Sequence, residues 1–266
     1  MHLIIIQNGL NGFHFAMNYV LNYYFNQLNK EEYKIVVSDV NNFLKTHDGL
    51  DEMGKRLAQF TKEKLREFNC DKISFIGHSL GGLMIRSCIF LLDQDGIFNK
   101  IEPMTYISIA SPHLGIFEVV EWKKFAARWL LRITGQELLI EDQNQQLITL
   151  SSNRYLSSLN KFKYKVAYGN ILGDTSVSFR SACISAVDFV NIKSEYEKHV
   201  LFEFKSQYHN LSEITFPLQI FENLNKINWI RKAVYFSDCY ICHNYIIGRG
   251  LTTQTLVLDD TLQYLK

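Results

Sequence analysis

The sequence predicts an α/β fold in which a mostly parallel central sheet is covered by helices on both faces and carries an inserted helical cap. Short apolar runs alternate with longer segments of helical periodicity, and this order is typical of a parallel sheet in three layers. The strand-like runs are apolar throughout, as expected when both faces of a sheet are covered. Residues 116–160 interrupt the alternation with a helical pattern alone and therefore predict the cap.

The alternating elements can be followed from the first residues to the last. Strands are predicted over the segments HLIII, YKIVVSDV, KISFIG, MTYISIAS, FKYKVAYGN and INWIRKAVYF. Helices are predicted over FHFAMNYVLNYYFNQLN, LDEMGKRLAQFTKEKLREF, GGLMIRSCIFLLDQ and TTQTLVLDDTLQYLK. Residues 190–225 have no clear pattern and are interpreted as a second insertion. Since no repeat, low-complexity tract or Pro/Gly-rich linker divides the chain, residues 1–266 are expected to form a single domain.

Composition and charge argue against several classes of protein. The 266 residues carry a net charge of +1, so we expect neither nucleic acid nor another strongly charged partner. No apolar run reaches the roughly 20 residues that span a bilayer. The first residues lack the basic flank and the small-residue cleavage site of a signal peptide. Together with an odd number of cysteines, five, this pattern predicts a reduced, cytoplasmic protein.

A possible nucleophile lies in residues 73–89, ISFIGHSLGGLMIRSCI, where a predicted strand passes into a predicted helix. The pattern Gly-x-Ser-x-Gly at such a turn holds the serine in a strained backbone, with its hydroxyl exposed above the sheet edge. Glycines are needed because the strand and the helix approach too closely for β-carbons. The N-terminus of the helix favours negative charge at the serine. The alternative is a structural turn with an incidental serine, but the position between strand and helix favours Ser79 as a nucleophile.

A nucleophilic serine needs a base and an orienting acid, which in this architecture follow it in the order Asp or Glu, then His. Asp174 comes shortly after a predicted strand, in a glycine-containing loop at the sheet edge where sites form. Asp188 is the alternative acid, further from any strand end. Of eight histidines, only His243 follows a late predicted strand. The alternative for a lone histidine is a structural, hydrogen-bonded role, and the chain order favours His243 as the base.

The segment from Cys239 to His243 also matches the C-x-x-C-H signature of covalent haem attachment. Haem attachment would require an export signal and usually a small helical fold. A zinc site would require two further ligands in a comparable cluster. We therefore predict no metal and no cofactor, and we interpret the cysteines as small buried apolar residues.

Several motifs in chain order resemble one known family. They are NGLNG, FIGHSLGGLMIRSCI, ISIASPHLG, TGQELLIEDQ, YGNILGDTSVSFRSACI and INWIRKAVYF followed by HNYII. In these motifs the chain resembles the eukaryotic serine esterases and lipases of the α/β-hydrolase fold, a family typified by a yeast lipid-droplet lipase. The resemblance implies an ester hydrolase whose catalytic residues are Ser79, Asp174 and His243. One departure is Asn8, because the family usually has histidine before the first glycine of the NGLNG segment.

From the motifs and the resemblance we expect cleavage of carboxylic esters, lipids included, through an acyl-enzyme on Ser79. The oxyanion is expected to be held by the backbone N–H groups of Leu10 and Leu80. Two alternatives stay open. The chain could be a catalytically impaired module that binds lipid or acts as a scaffold, which Asn8 would favour. The same triad could also serve a thioesterase, a peptidase or an acyltransferase.

The predicted cap contains an apolar stripe at helical spacing in FEVVEWKKFAARWLLRITG. Its members are Val119, Trp122, Ala126, Trp129, Leu130 and Ile133, and the basic residues Lys123, Lys124, Arg128 and Arg132 occupy much of the remaining surface. One interpretation is a helix packed over the site with a solvated basic face. The other is a lid whose stripe lines the acyl pocket when closed. When open, it would contact a membrane or a lipid droplet and hold the protein there peripherally.

Overall fold

A seven-stranded sheet forms the centre of the computed structural model, which describes residues 1–118, 121–187, 199–205, 217–237, 239, 242–250 and 254–266. The strands are β1 (His2–Gln7), β2 (Tyr33–Val37), β3 (Lys72–His78), β4 (Glu102–Ile109), β5 (Tyr164–Asn170), β6 (Val200–Phe204) and β7 (Ile230–Tyr235).

The strand order is β2-β1-β3-β4-β5-β7-β6. Every neighbouring pair is parallel except β6 and β7, which are antiparallel. The predicted, mostly parallel sheet is thereby confirmed. The antiparallel edge strand β6 was not predicted, because it is only five residues long, none of them is fully buried, and Glu203 interrupts its apolar run.

Helices connect the strands in the described part of the chain. They are α1 (Asn18–Gln27), α2 (Leu50–Glu67), α3 (Leu80–Gln94), α4 (Glu121–Leu130), α5 (Arg132–Leu139), α6 (Gln146–Leu150), α7 (Asn153–Asn160), α8 (Phe179–Cys183), α9 (Leu218–Leu224), α10 (Cys242–Tyr245) and α11 (Leu256–Leu265). Short 3₁₀ helices cover His14–Met17, Phe43–His47 and Ile97–Asn99. As predicted, the described residues of the cap, within 116–160, contain helices and no strand.

Both faces of the sheet are covered, which explains the continuous apolar runs. All six residues of β1 are buried. Leu3 and Ile5 pack into one core with the apolar residues of α2 and α3. Ile4 and Ile6 point to the other face and pack with residues of α1 and α11. Each such side chain stabilises the fold by about 1.5–3 kcal/mol relative to an exposed one, so these layers fix the positions of the strand ends.

The carboxyl ends of the parallel strands bring four loops to one edge of the sheet. The loop after β1 carries the segment from Asn8 to Gly12, β3 runs directly into Ser79, and Asp174 follows β5. His243 lies in α10, in the connection that follows β7. Because these strands run in the same direction, the candidate site forms at this edge. None of the helices in the described part of the chain combines the length and the apolar character needed to cross a bilayer.

Candidate active site

Ser79 occupies a strained turn between β3 and α3. Its φ of 55° and ψ of −131° are unusual for a residue with a side chain. The backbone N–H of Ser79 donates to the carbonyl of Ile109, at 2.9 Å, and fixes the turn against β4. A β-carbon on Gly77 would lie 2.5 Å from the backbone nitrogen of Gly82, so only glycine fits where the strand and the helix approach. The chain therefore makes a tight strand-to-helix turn at Ser79, with the strained backbone expected there.

The side chains of Ser79, His243 and Asp174 lie in one hydrogen-bonded chain. Ser79 Oγ is 2.9 Å from His243 Nε2, and His243 Nδ1 is 2.9 Å from Asp174 Oδ2. An ionised carboxylate can only accept, so the imidazole Nδ1–H donates to Asp174 and Nε2 is left to accept from the serine hydroxyl. The alternative acid, Asp188, lies outside the described residues.

The Asp174 carboxylate is buried, with 2% of its side chain exposed. Its Oδ1 accepts the backbone N–H groups of Ser176 and Val177, each at 2.9 Å. Burial alone would raise the pKa of Asp174, but the hydrogen bond from His243 and these two amides favour the carboxylate and lower the pKa below its ordinary value. Asp174 therefore stays ionised and can stabilise a positive charge on the imidazole.

Two further polar side chains, those of Asn170 and His78, contact these hydrogen-bonded residues, and neither was predicted as a site residue. The Asn170 amide donates to Asp174 Oδ2, at 3.0 Å, and to the carbonyl of Cys242, at 3.4 Å. His78 Nε2–H donates to the carbonyl of His243, at 2.7 Å. Burial, together with the neighbouring His243, lowers the pKa of His78 to about 3, so His78 is neutral. The sequence marks these two residues only by their positions, because each is the last residue of a strand and lies next to a motif.

The loop after β1 lies directly against Ser79. A β-carbon on Gly9 would be 2.6 Å from Ser79 Cβ, so the loop can approach the serine only because residue 9 is glycine. The N–H of Gly12 donates to the carbonyl of Gly9 and closes a tight turn. The backbone N–H groups of Leu10 and Leu80 have no hydrogen-bond acceptor within the described part of the chain. Both are therefore available to a ligand beside Ser79.

The buried Asn8 is hydrogen-bonded only to its neighbour within the described residues. Its Oδ1 accepts from Gln7 Nε2 at 2.9 Å, whereas its Nδ2 has no acceptor there. The loop is fixed instead at Asn11, whose N–H donates to Thr46 Oγ1 at 3.0 Å and whose Oδ1 lies 2.6 Å from His47 Nε2. The 3₁₀ helix Phe43–His47 therefore supplies side-chain hydrogen bonds that hold the loop.

The cysteines are free thiols, and four of the five are buried as predicted, while Cys239 is half-buried. Cys242 Sγ lies 3.1 Å from the carbonyl of Cys239. Burial raises the pKa of Cys88 to about 12, as expected for an inert thiol. The described residues contain no group of three or more His, Cys, Asp or Glu side chains that could hold a metal ion.

The helix α4 of the cap presents large apolar side chains to solvent. Trp122 is 68% exposed and Trp129 is 73% exposed, Leu130 is exposed as well, and so is Ile133 at the start of α5. Two of its basic residues form ion pairs within the cap, Lys124 with Glu121 and Arg128 with Glu141. Val119 and the side chain of Ala126, which complete the predicted stripe, lie outside the described residues, as does the side chain of Lys123.

The next helix of the cap, α5, is attached to the start of α2. Thr134 Oγ1 accepts the backbone N–H of Gly49 at 3.0 Å, and Glu137 Oε2 accepts the N–H of Leu50 at 2.8 Å. These amides have no partner within α2 itself, because the first N–H groups of a helix lack intrahelical acceptors. We call the contact formed by Thr134, Glu137, Gly49 and Leu50 the clasp. The clasp gives a structural role to Thr134 and Glu137, the first and fourth residues of the motif TGQELLIEDQ.

Comparison with known proteins agrees with this geometry. Residues 1–186 match the family described as "Putative serine esterase (DUF676)". The chain is 32% identical over 199 residues to "Putative lipase YDL109C" of Saccharomyces cerevisiae, an alignment that covers 71% of this chain and 31% of that protein. It is 29% identical over 211 residues to "Putative lipase ROG1" of the same yeast, covering 74% of this chain and 30% of that protein. The chain thus spans less than a third of the length of these relatives.

A solved structure, that of the lin2722 gene product of Listeria innocua, is similar in fold. It matches with a TM-score of 0.55 at 13% identity, covering 100% of this chain and 94% of that one. The parallel sheet, the helices on both faces and the serine turn after β3 are those of the α/β-hydrolase fold. The chain belongs to the serine esterase family that its residues 1–186 match.

Proposed function

We propose that the chain hydrolyses carboxylic esters through an acyl-enzyme on Ser79. The observation that supports this most directly is the hydrogen-bonded chain from Ser79 Oγ through the His243 imidazole to Asp174. His243 takes the serine proton as the hydroxyl attacks the ester carbonyl, returns it to the leaving alcohol and later activates water. Asp174 holds the imidazole in the required tautomer and stabilises its cation. The reaction needs neither a metal nor a cofactor.

The oxyanion of the tetrahedral intermediate is held, in this proposal, by the backbone N–H groups of Leu10 and Leu80. Support comes from the two amides being without an acceptor in the described residues and from the contact of Gly9 with Ser79. The dipole of α3 adds positive potential at the same place. Losing one such donor typically costs on the order of 3 kcal/mol of transition-state stabilisation.

We propose lipid esters as the substrate class and a membrane or lipid-droplet surface as the place of contact. The relatives described as lipases support this, as do the exposed apolar side chains of the cap, among them Trp122 and Trp129. Such side chains would be buried in the headgroup region when the cap contacts a lipid surface. The acyl chain would then enter the site from the lipid without crossing water.

Ser79→Ala tests the proposal most directly. We expect it to abolish both ester hydrolysis and labelling by a fluorophosphonate probe, because both require the serine oxygen. His243→Ala should cost nearly as much, since loss of either group prevents the same proton transfer. Ser157→Ala is the matched control, because Ser157 is exposed and donates only to Arg154 within its own helix. A series of p-nitrophenyl esters of increasing chain length, assayed with the wild type, would define the acyl preference.

Three results would contradict the proposal. Wild-type protein that binds lipid but reacts with neither probe nor ester would be a non-catalytic binding module. Ser79→Ala protein that keeps wild-type turnover would exclude Ser79 as the nucleophile. If the probe labels Ser79 but the thioester analogue is cleaved much faster than the ester, the same triad serves a thioesterase.

A further inference from the structure

The side chain of Asn170 connects two segments that both contribute to the candidate site. Asn170 is the last residue of β5 and is buried, and its amide nitrogen lies 3.0 Å from Asp174 Oδ2. The same nitrogen lies 3.4 Å from the carbonyl of Cys242, the residue that precedes His243. Both neighbours can only accept, so the nitrogen and not the oxygen must point at them.

With Asn170 in place, every lone-pair position of the Asp174 carboxylate is used. Oδ1 accepts from the amides of Ser176 and Val177, and Oδ2 accepts from His243 and Asn170. A carboxylate has about four such positions, so this one cannot rotate without losing a bond. Charge-assisted bonds of this kind are stronger than those between neutral groups. The carboxylate is therefore fixed in the orientation that points Oδ2 at the imidazole.

Two further hydrogen bonds hold the backbone of Cys242 and His243. The N–H of Cys242 donates to the carbonyl of Gly173, at 2.8 Å, directly before Asp174. His78 donates to the carbonyl of His243 from the end of β3. Of these contacts, only that of Asn170 reaches both the acid and the backbone next to the base. Its removal would leave the Asp174 carboxylate joined to the base by the His243 bond alone, with the backbone bond from Cys242 to Gly173 beside it.

We infer that Asn170 is a positioning residue that holds the acid and the base of the triad in register. This inference rests on the proposed function of Ser79, Asp174 and His243. Asn170 does not touch the serine or the ester; it acts through the position of Asp174 Oδ2 and of the backbone that carries the imidazole. Its loss should therefore lower kcat and leave KM nearly unchanged.

Asn170→Ala removes both donated bonds, and Asn170→Asp keeps the volume but replaces the donor with a second carboxyl group beside Asp174. Hydrogen bonds to charged groups of this kind predict a fall in kcat of about 10- to 100-fold for Asn170→Ala at every pH, with KM within about three-fold. Two carboxyl groups at this distance share a proton at lower pH, and the shared proton can replace the amide donor. The activity of Asn170→Asp relative to wild type should therefore fall as the pH rises from about 6 to about 8.

Asn223→Ala is the matched control, because Asn223 also donates a bond between elements, to Ser151 at 3.3 Å, but in the cap region. It should keep wild-type kcat. If Asn170→Ala also keeps wild-type kcat, or if the relative activity of Asn170→Asp does not change with pH, the inference is wrong. The isosteric Asn170→Asp variant keeps the test decisive even if Asn170→Ala folds poorly.

A second measurement separates this inference from the proposed function, because it needs no substrate. The His243 Nδ1 proton should give a far-downfield NMR resonance that is absent in His243→Ala. In Asn170→Ala we expect this resonance to broaden through faster exchange with water, and in Asn223→Ala to remain. If the wild type shows the resonance but hydrolyses no ester, the proposed function fails. If Asn170→Ala leaves the resonance unchanged, the inference fails.

Discussion

At the scale of single residues, the site depends on how one buried carboxylate is kept charged. Burial opposes the ionised form of Asp174, and the donors around it, His243 and the amides of Ser176 and Val177, more than offset that cost. An amide in place of the carboxylate would disturb this arrangement at its centre. Its nitrogen would donate where an acceptor is needed, so the imidazole would be stabilised in the wrong tautomer.

We therefore predict that Asp174→Asn lowers kcat by several orders of magnitude, about 10⁴-fold in comparable triads. The change should be read from steady-state hydrolysis of a soluble short-chain ester, with circular dichroism to check the fold. Asp93→Asn is the matched control, because Asp93 is also mostly buried and accepts from Ser158, but lies at the end of α3 opposite to Ser79. If Asp174→Asn lost less than about ten-fold, the acid would lie elsewhere, and Asp188→Asn would be the next variant to assay.

The three residues that we propose as the triad could be singled out from the sequence, whereas the side chains that contact them could not. Ser79 belongs to a short motif with local geometry, and chain order narrowed the choice to Asp174 and His243. Asn170 and His78 act across 72 and 165 residues of chain, and nothing local marks a side chain as a donor to such a distant carbonyl. Predicting them requires the fold, because only the sheet brings these strand ends together.

At the scale of elements, the clasp between α5 and α2 contains an ionisable group. Burial raises the pKa of Glu137 to about 7, and the nearby carboxylates of Asp142 and Asp51 act in the same direction. The hydrogen bond from the Leu50 amide opposes this, because it favours the charged form. The cap helices themselves were predicted, but their attachment was not, since helical periodicity does not indicate where a helix end will be bound.

The pH dependence of stability follows from this shift. An unfolded glutamate titrates near pH 4.3, so between about pH 4.3 and pH 7 the folded state holds a proton that the unfolded state has released. The free energy of unfolding therefore falls as the pH rises through this window, by on the order of 4 kcal/mol at most. Glu137→Gln cannot ionise and can still accept from Leu50. We expect it to be about as stable as wild type near pH 4 and clearly more stable at pH 8.

Urea unfolding at several pH values would measure this difference. Glu141→Gln is the matched control, because its ion pair with Arg128 lowers the pKa of Glu141, so that this group does not titrate in the same window. The difference between Glu141→Gln and wild type should be constant from about pH 5 to pH 8. Parallel curves for wild type and Glu137→Gln would show that Glu137 ionises normally in the folded protein.

The edge strand β6 illustrates a second limit at this scale. Residues 190–225 were interpreted as an insertion, and the described part of this segment contributes β6 and α9. An antiparallel edge strand is covered less completely than a central one, so its pattern is weaker. The central strands were all predicted, because burial on two faces makes their runs predominantly apolar.

At the scale of the whole molecule, exposed apolar side chains are contributed by two parts of the chain. The cap exposes Trp122, Trp129, Leu130 and Ile133. At the start of the 3₁₀ helix Phe43–His47, Phe13 stacks on Phe15 and on Phe43, and all three are exposed. The net charge of +1 provides little long-range attraction to anionic lipid, and two basic residues of α4 are paired. Contact with a lipid surface should therefore depend on apolar burial and only weakly on salt.

We predict that Trp129→Glu lowers activity on emulsified long-chain esters much more than on soluble short-chain esters, because it places a charge where the lipid would be. It should also weaken sedimentation with liposomes. Phe25→Glu is the matched control, since Phe25 is a similarly exposed aromatic residue but lies on α1. Equal losses on both kinds of ester, with unchanged liposome binding, would leave α4 as a structural cover only.

The segment from Phe43 to Leu50 connects the loop beside Ser79 with the cap. At one end the side chains of Thr46 and His47 are hydrogen-bonded to Asn11 of that loop. At the other end the backbone N–H groups of Gly49 and Leu50 donate to the cap in the clasp. Because binding linkage is reciprocal, a ligand that stabilises the loop at Asn11 through this segment should also stabilise the packing of α5 on it, and the reverse. A covalent phosphonate on Ser79 should then slow amide hydrogen exchange at Gly49 and Leu50. If the cap contacts lipid as proposed, the same linkage would couple lipid binding to the geometry of the loop beside Ser79.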